Sequence, residues 1–394
     1  MTAVQLADGR GAARFRAELD AWLDDNQPSS VRAVDRPLST GHLPDWARDW
    51  QRMLFDAGWL VPRWPEGLGG RAAGPLEHLI YLEELSRRHV PRSLNPQGLD
   101  VCAPVLVEHG TDDQRERWAL STLRGEITWC LAVGRAGLRS AESTMPGFRL
   151  TQTDGVLVVG GREPAPAGAQ HADLCLCVVR SNRPPDGSDG VTVVAVDLRS
   201  PGVVRPLRPD LTDVTHDADE LIFDDVELTR GDVVGDVHRG IPVVQAAHAH
   251  ERSVRWTTSL VMAQRGLDSL VAMGHAHGLA QDPVFRDSVA ALRVDADGVR
   301  ALAYRAMAKN EAGRPAPELA MLPLLTHELE QRVYLAGTEA LGGDGVDLGL
   351  DGPLPWPSGA WGTHWLAALS DVASVNGLTE RDRVAARVLG MPPA

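Results

Sequence analysis

The sequence predicts an α+β chain, mostly helical, in which a β-rich segment separates two helical ones. Three observations carry this. Apolar residues recur every three or four positions over roughly the first 125 residues. Short Val-rich runs broken by Gly, Pro and Asp then take over between 127 and 235. Long helical patterns return from about 241. The expected domains are therefore 1–126, helical; 127–238, an antiparallel β-domain; and 239–394, a helical bundle.

Each element has its own signal. Residues 11–25, with "RFRAELDAWL", and 44–59 carry helical spacing, and the turn-rich "WPEGLGG" separates them from the helical "LEHLIYLEELSRRH" at 76–89. "TDDQRERWALSTLRG" opens with Thr111 as N-cap and an acidic first turn. The strands are "GFRLTQTDGVLVVGG", "ADLCLCVVRS", "GVTVVAVDL" and "ADELIFDDVEL". Between the first two lies "REPAPAG", where Pro164 and Pro166 remove two backbone donors and fix two φ angles. Three long helical patterns follow, and "LTERDRVAARVLG" supplies a last helix after a Gly-, Pro- and Trp-rich stretch at 342–365.

Composition excludes some functions. The chain has 394 residues, 43% of them apolar, enough for sizeable cores. A net charge of −14 argues against nucleic acid or an anionic membrane as partner. Lys309 is the only lysine. Cys175 and Cys177 alternate along one strand, so they point the same way and cannot form an ordinary disulfide. With Cys102 and Cys130 they show no zinc spacing, so no metal site is expected. Without an apolar leader or membrane-length run, the expected location is cytoplasmic.

Six phrases, in order, make the chain resemble the acyl-CoA dehydrogenase family: "GWLVPRWPEGLGGRAAGPLEHLIYLEELSR", "LVEHGTDDQRERW", "LRGEITWC", "GAQHADLCLCVVR", "FDDVELTRGDVVGDVHRG" and "AARVLGMP". The resemblance implies an N-terminal helical domain, a middle β-barrel-like domain and a C-terminal four-helix bundle, assembled as dimers or tetramers. It also implies FAD between the β-domain and the C-terminal helices. There, a carboxylate removes the α-proton of an acyl-CoA thioester while hydride leaves from the β-carbon to the flavin.

Family positions carry over one at a time. One branch places its catalytic glutamate near the C-terminus, where this chain has Asn376, which cannot take a proton. Another places it in a Glu-Arg pair on the first long helix of the bundle, which puts Glu251 of "HAHERSV" in the catalytic position. The plain alternative is a helix glutamate paired with a neighbouring arginine. The flanking His248 and His250 are read as packing or solvent residues rather than proton carriers. In the loop where the family contacts flavin, "GRAGLRSAES" keeps Gly137 and Ser140, while Arg135, Ala136, Leu138, Arg139 and Ala141 replace the family's residues. Where the family has a Trp followed by Thr or Ser against the flavin ring, this chain has Ala165-Pro166, and its late threonine is Leu378. Near the adenine end, "EALGGDGVD" keeps Gly342, Gly343 and Gly345 but has Glu339 for the usual Gln. Glycine there lets backbone approach phosphate, or simply ends a helix.

The resemblance therefore implies one subunit of an FAD-dependent dehydrogenase acting on an acyl-CoA or acyl-carrier thioester. Steroid or other bulky acyl chains are the expected class. The partner would be a second, related chain, and this chain's own flavin cradle would be degraded. Two alternatives stand beside it. One is a flavin-free, redox-neutral enzyme with Glu251 as base, in which Arg135 and Arg139 hold an anionic group. The other is an ordinary homotetrameric FAD enzyme.

Overall fold

The computed structural model describes residues 10–28, 39–88, 90–133, 146–153, 156–181, 190–207, 218–346 and parts of 361–391. The chain forms two compact units. One comprises 1–29, 62–91 and 253–394, the other 30–61 and 92–252.

In the first unit α1 (Arg10–Asn26) buries Ala12, Phe15, Leu19 and Leu23, one stripe at helical spacing. It packs on α3 (Pro75–Arg87), whose Leu79, Ile80, Tyr81 and Leu85 are buried. Arg88 joins them by donating to Asp20 at 2.8 Å. Leu79 continues into a cluster with Trp256, Leu260, Ala303, Met307 and Leu322. The long helices here are α7 (Ile241–Ala276, whose first twelve residues belong to the other unit), α8 (Pro283–Glu311) and α9 (Leu322–Leu341). Ala263, Leu267, Leu270, Leu329, Val333 and Tyr334 form the core of that bundle.

The second unit opens with α2 (Asp45–Asp56). Its Gln51 donates to the Thr122 carbonyl at 2.7 Å and its Arg48 to the Gly125 carbonyl at 2.6 Å. A π-helical turn, Gly98–Cys102, leads into α4 (Ala103–His109). Thr111 caps the next helical stretch as expected: its hydroxyl accepts from the Gln114 N–H, and Gln114 returns to the Thr111 N–H. That stretch comprises α5 (Asp112–Gln114), a π-helical Arg115–Leu120 and α6 (Ser121–Leu123).

Among the described residues the strands are β1 (Trp129–Ala132), β2 (Arg149–Thr153), β3 (Val156–Pro164), β4 (Leu174–Arg180), β5 (Val191–Asp197), β6 (Val203–Val204), β7 (Glu220–Leu228) and β8 (Val233–Val234). They form one sheet in the order β6-β7-β3-β2-β4-β5-β8, with β1 beside β4. Most pairings are antiparallel, as expected, but β1 and β2 run parallel to β4, so the sheet is mixed. The chain leaves β1, makes the β2–β3 hairpin and returns alongside β1. Asp173, just before β4, fastens the starts of β1 and β4 by accepting from the Thr128 N–H at 2.9 Å.

Alternation along β4 sorts its side chains to two cores. Leu174, Leu176 and Val178 join Trp129, Val105, Leu106, Trp118, Val243 and Ala247 on the helical side. Cys175, Cys177 and Val179 join Cys130, Phe148, Leu157 and Phe223 on the other. Both faces are covered, which is why β4 is apolar from Leu174 to Val179. The four thiols are free and buried, and Cys175 and Cys177 share a face as their spacing requires.

Candidate functional site

Glu251 lies on the third turn of α7, and the sequence before it explains its position. Val243, Val244 and Ala247 bury the near face of the helix against α4 and the sheet. Residues three and four further on share that face, so His248 and Glu251 follow in line. His248 is 8% exposed. The Glu251 side chain is 34% exposed, enough to meet a ligand while remaining partly desolvated. Nδ1 of His248 stands 3.5 Å from Oε2 of Glu251. Nε2 of His248 is buried and has no hydrogen-bond partner among the described residues.

Other ionisable groups flank this turn. His250 Nε2 lies 2.9 Å from Glu108 Oε1 at the end of α4. Asp100, in the π-helical turn, is buried and paired with Arg92. Burial raises its carboxyl above the usual range, and Arg92 opposes that shift. The Cys102 thiol beside it is pushed up by burial and stays neutral. Asp100 and Glu108 carry no sequence signal of their own, and His248 is buried, as a packing residue is. The signal available was the i,i+3 spacing of His248 and Glu251.

Ala165 and Pro166 lie just past the end of a strand rather than breaking one. After a register shift between Val159 and Gly161, β3 stays paired with β7 through Pro164, which lies opposite Glu220. The Ala165 N–H donates to the Asp219 carbonyl at 2.9 Å. Pro166 has no N–H, and its carbonyl accepts from Ala169 at 3.1 Å. A flavin edge laid here would meet neither an open donor at these two residues nor an aromatic face. The turn that follows is clamped from outside: a Cβ on Gly41 would lie 2.1 Å from the Gly168 carbonyl oxygen. Ser39 Oγ and His171 Nδ1 are 3.1 Å apart beside it.

The glycine turn belongs to the first unit and Glu251 to the second. Gly342–Val346 form a 3-10 turn after α9. Gly342 follows the last residue of the helix with a positive φ of 58°. Among the described residues, a Cβ on Gly342 or Gly343 would meet nothing within 4 Å, whereas on Gly345 it would lie 2.1 Å from the Thr338 carbonyl. The turn is thus not an internal cradle. It sits at the negative end of a helix and exposes Asp344, a poor seat for a diphosphate supplied by this chain alone. Gly137 and Ser140 lie outside the described residues, as do Arg135, Arg139, Asn376 and Leu378. At Ala165 and Pro166, then, a flavin is offered neither a free backbone donor nor an aromatic ring.

Among the described residues, no three His, Cys, Asp or Glu side chains converge as a metal site would require, and no helix is long and apolar enough to cross a membrane.

Residues 12–126 match the profile of the acyl-CoA dehydrogenase N-terminal domain, and residues 238–367 that of the acyl-CoA dehydrogenase C-terminal domain. The acyl-CoA dehydrogenase IpdE1 of Mycobacterium tuberculosis (strain ATCC 25618 / H37Rv) is 25% identical over 390 residues, 96% of this chain and 97% of that protein. The structure of the Tcur3481-Tcur3483 steroid ACAD superimposes with a TM-score of 0.79 at 20% identity, covering 99% of this chain and 100% of the other. The ChsE4-ChsE5 complex from Mycobacterium tuberculosis gives 0.78 at 19% identity, with coverage of 99% and 100%. At these identities the two structures establish a shared fold.

Proposed function

Because this chain belongs to the acyl-CoA dehydrogenase family, we propose that it is one subunit of a two-chain dehydrogenase for a bulky acyl-CoA such as a steroid thioester. In that assembly the flavin rests on the partner chain, and this chain supplies Glu251 as the α-proton base. The observation that carries the reading is at Ala165 and Pro166. The chain keeps the family fold, yet the donor at this turn is spent on Asp219 and its neighbour is a proline. Two structures that share its fold are named as pairs of chains, Tcur3481-Tcur3483 and ChsE4-ChsE5, and the first as a steroid enzyme.

The chemistry assigned to this chain is one proton transfer. An α C–H of the thioester breaks, its proton goes to a Glu251 carboxylate oxygen, and the electron pair delocalises toward the thioester oxygen. Partial burial of Glu251 weakens its solvation while leaving it open to a ligand. Gly342 and Gly343, exposed and unpacked within the chain, are free to approach a partner.

The test is assembly. The chain is purified alone and after co-expression with the acyl-CoA dehydrogenase-like chain encoded nearest to it, and both preparations go through size exclusion with light scattering. The reading predicts a mixed oligomer that carries flavin and oxidises acyl-CoA. A chain that alone forms an active, yellow homotetramer contradicts it.

A further inference from the structure

Resting on the reading of Glu251 as base, we propose that His248 is its positioning residue, donating Nδ1–H toward the carboxylate while Nε2 waits, as a bare lone pair, for a donor on the bound ligand. Three observations on α7 support this. Nδ1 faces Glu251 Oε2 at 3.5 Å, one turn away on the same face. The ring is buried next to the apolar wall of Val244 and Ala247. Its other nitrogen has no partner among the described residues.

The environment selects the tautomer. A proton on Nε2 would leave a buried N–H unsatisfied, which costs more than a bare lone pair. With its proton on Nδ1 the ring avoids this, and it turns that proton toward the carboxylate. Among the described residues, the nearby acidic groups have other partners. Glu108 takes His250 and lies 4.0 Å from His109, Asp100 takes Arg92, and the Cys102 thiol is neutral.

The consequence for catalysis is orientation rather than proton relay. His248 keeps its proton throughout, and the α-proton ends on Glu251. A donor toward Oε2 restricts the rotation of the carboxylate that meets the substrate. The bare Nε2, next to a site for an acyl thioester, accepts from a hydroxyl or amide N–H of the ligand.

The test has two parts, both on the complex with its partner chain. First, the ring ¹⁵N shifts of histidine-labelled protein, with the His248 signals assigned by their loss in His248→Gln, should report Nδ1 protonated and Nε2 unprotonated at neutral pH. Glu251→Gln should move the Nδ1 signal. A protonated Nε2, or a signal indifferent to Glu251→Gln, overturns the proposal. Second, His248→Asn, which keeps an N–H at the Nδ1 position, should retain kcat within about 3-fold, whereas His248→Leu should lose about 10- to 100-fold with KM unchanged. Equal activity in Asn and Leu variants, high or low, overturns it. If Glu251→Gln itself turns over normally, the base assignment fails, while the ¹⁵N result still decides the pairing.

Discussion

Glu83 on α3 and Arg300 on α8 meet through two hydrogen bonds, Nε donating at 2.7 Å and Nη2 at 2.9 Å, and the Tyr304 hydroxyl donates to the same carboxylate at 2.8 Å. Both side chains of the pair are largely buried, and the hydroxyl of Tyr304 is raised, first by its burial and then by the charge on Glu83. A second pair, His250 with Glu108, is more exposed. The two differ in what their loss costs, because a buried pair leaves an uncompensated charge behind and an exposed one is solvated.

Glu83→Gln should therefore destabilise the chain by about 3 kcal/mol, the cost of stranding a buried guanidinium. Glu108→Gln should change stability by less than about 1 kcal/mol. Urea unfolding of the two variants measures both. A Glu83→Gln variant as stable as Glu108→Gln would show that the α3–α8 pair adds nothing.

The glycine turn separates packing from recognition. Gly345→Ala pushes a methyl into the Thr338 carbonyl and should cost about 1–3 kcal/mol. Gly343→Ala meets open space and should leave the isolated chain within about 0.5 kcal/mol of wild type. If the turn serves the partner, Gly343→Ala should nevertheless weaken flavin retention by the assembled complex. Thermal melts of the single chain, beside flavin content of the complex, tell the two effects apart.

Asp100 sets a pH dependence whose sign follows from burial. Its carboxyl is raised in the folded chain, so the folded state holds a proton that the unfolded state has released. Its contribution is greatest below the ordinary aspartate value and is lost as pH rises through the raised one. Asp100→Asn should therefore gain stability relative to wild type as pH rises through that window. Denaturant midpoints measured from pH 4 to 7 check this, and a difference that stays flat or falls contradicts the shift.

Glu251→Gln should lower turnover by about 10²- to 10⁴-fold with the fold intact, the span that general-base catalysis covers. Circular dichroism and steady-state rates on the complex decide it. Retained turnover would make Glu251 structural.

Much of the fold was legible because periodicity is local. The stripe Ala12, Phe15, Leu19 and Leu23 and the Thr111 cap can be read without knowing any partner. The parallel pairing of β1 with β4 cannot, because register between strands about forty residues apart is set by packing rather than by neighbours in sequence. The same limit applies to Pro164, which looks like a breaker yet stays in register opposite Glu220, at the strand end where a missing donor is tolerated. At the site, the sequence supplied Glu251 through a resemblance, but not His248. Whether a histidine on α7 is buried depends on α4 covering that face, and Val105 and Leu106 of α4 lie about 140 residues from Val244 and Ala247 along the chain.

The central claim is that this chain does not hold a flavin by itself, and a visible absorption spectrum tests it most directly. The chain is purified alone, incubated with excess FAD and passed through gel filtration. A colourless protein after filtration, with colour retained only when the partner chain is present, is the predicted result. A stoichiometric flavin band kept by the chain alone would contradict the account and make Glu251 the base of an ordinary one-chain dehydrogenase.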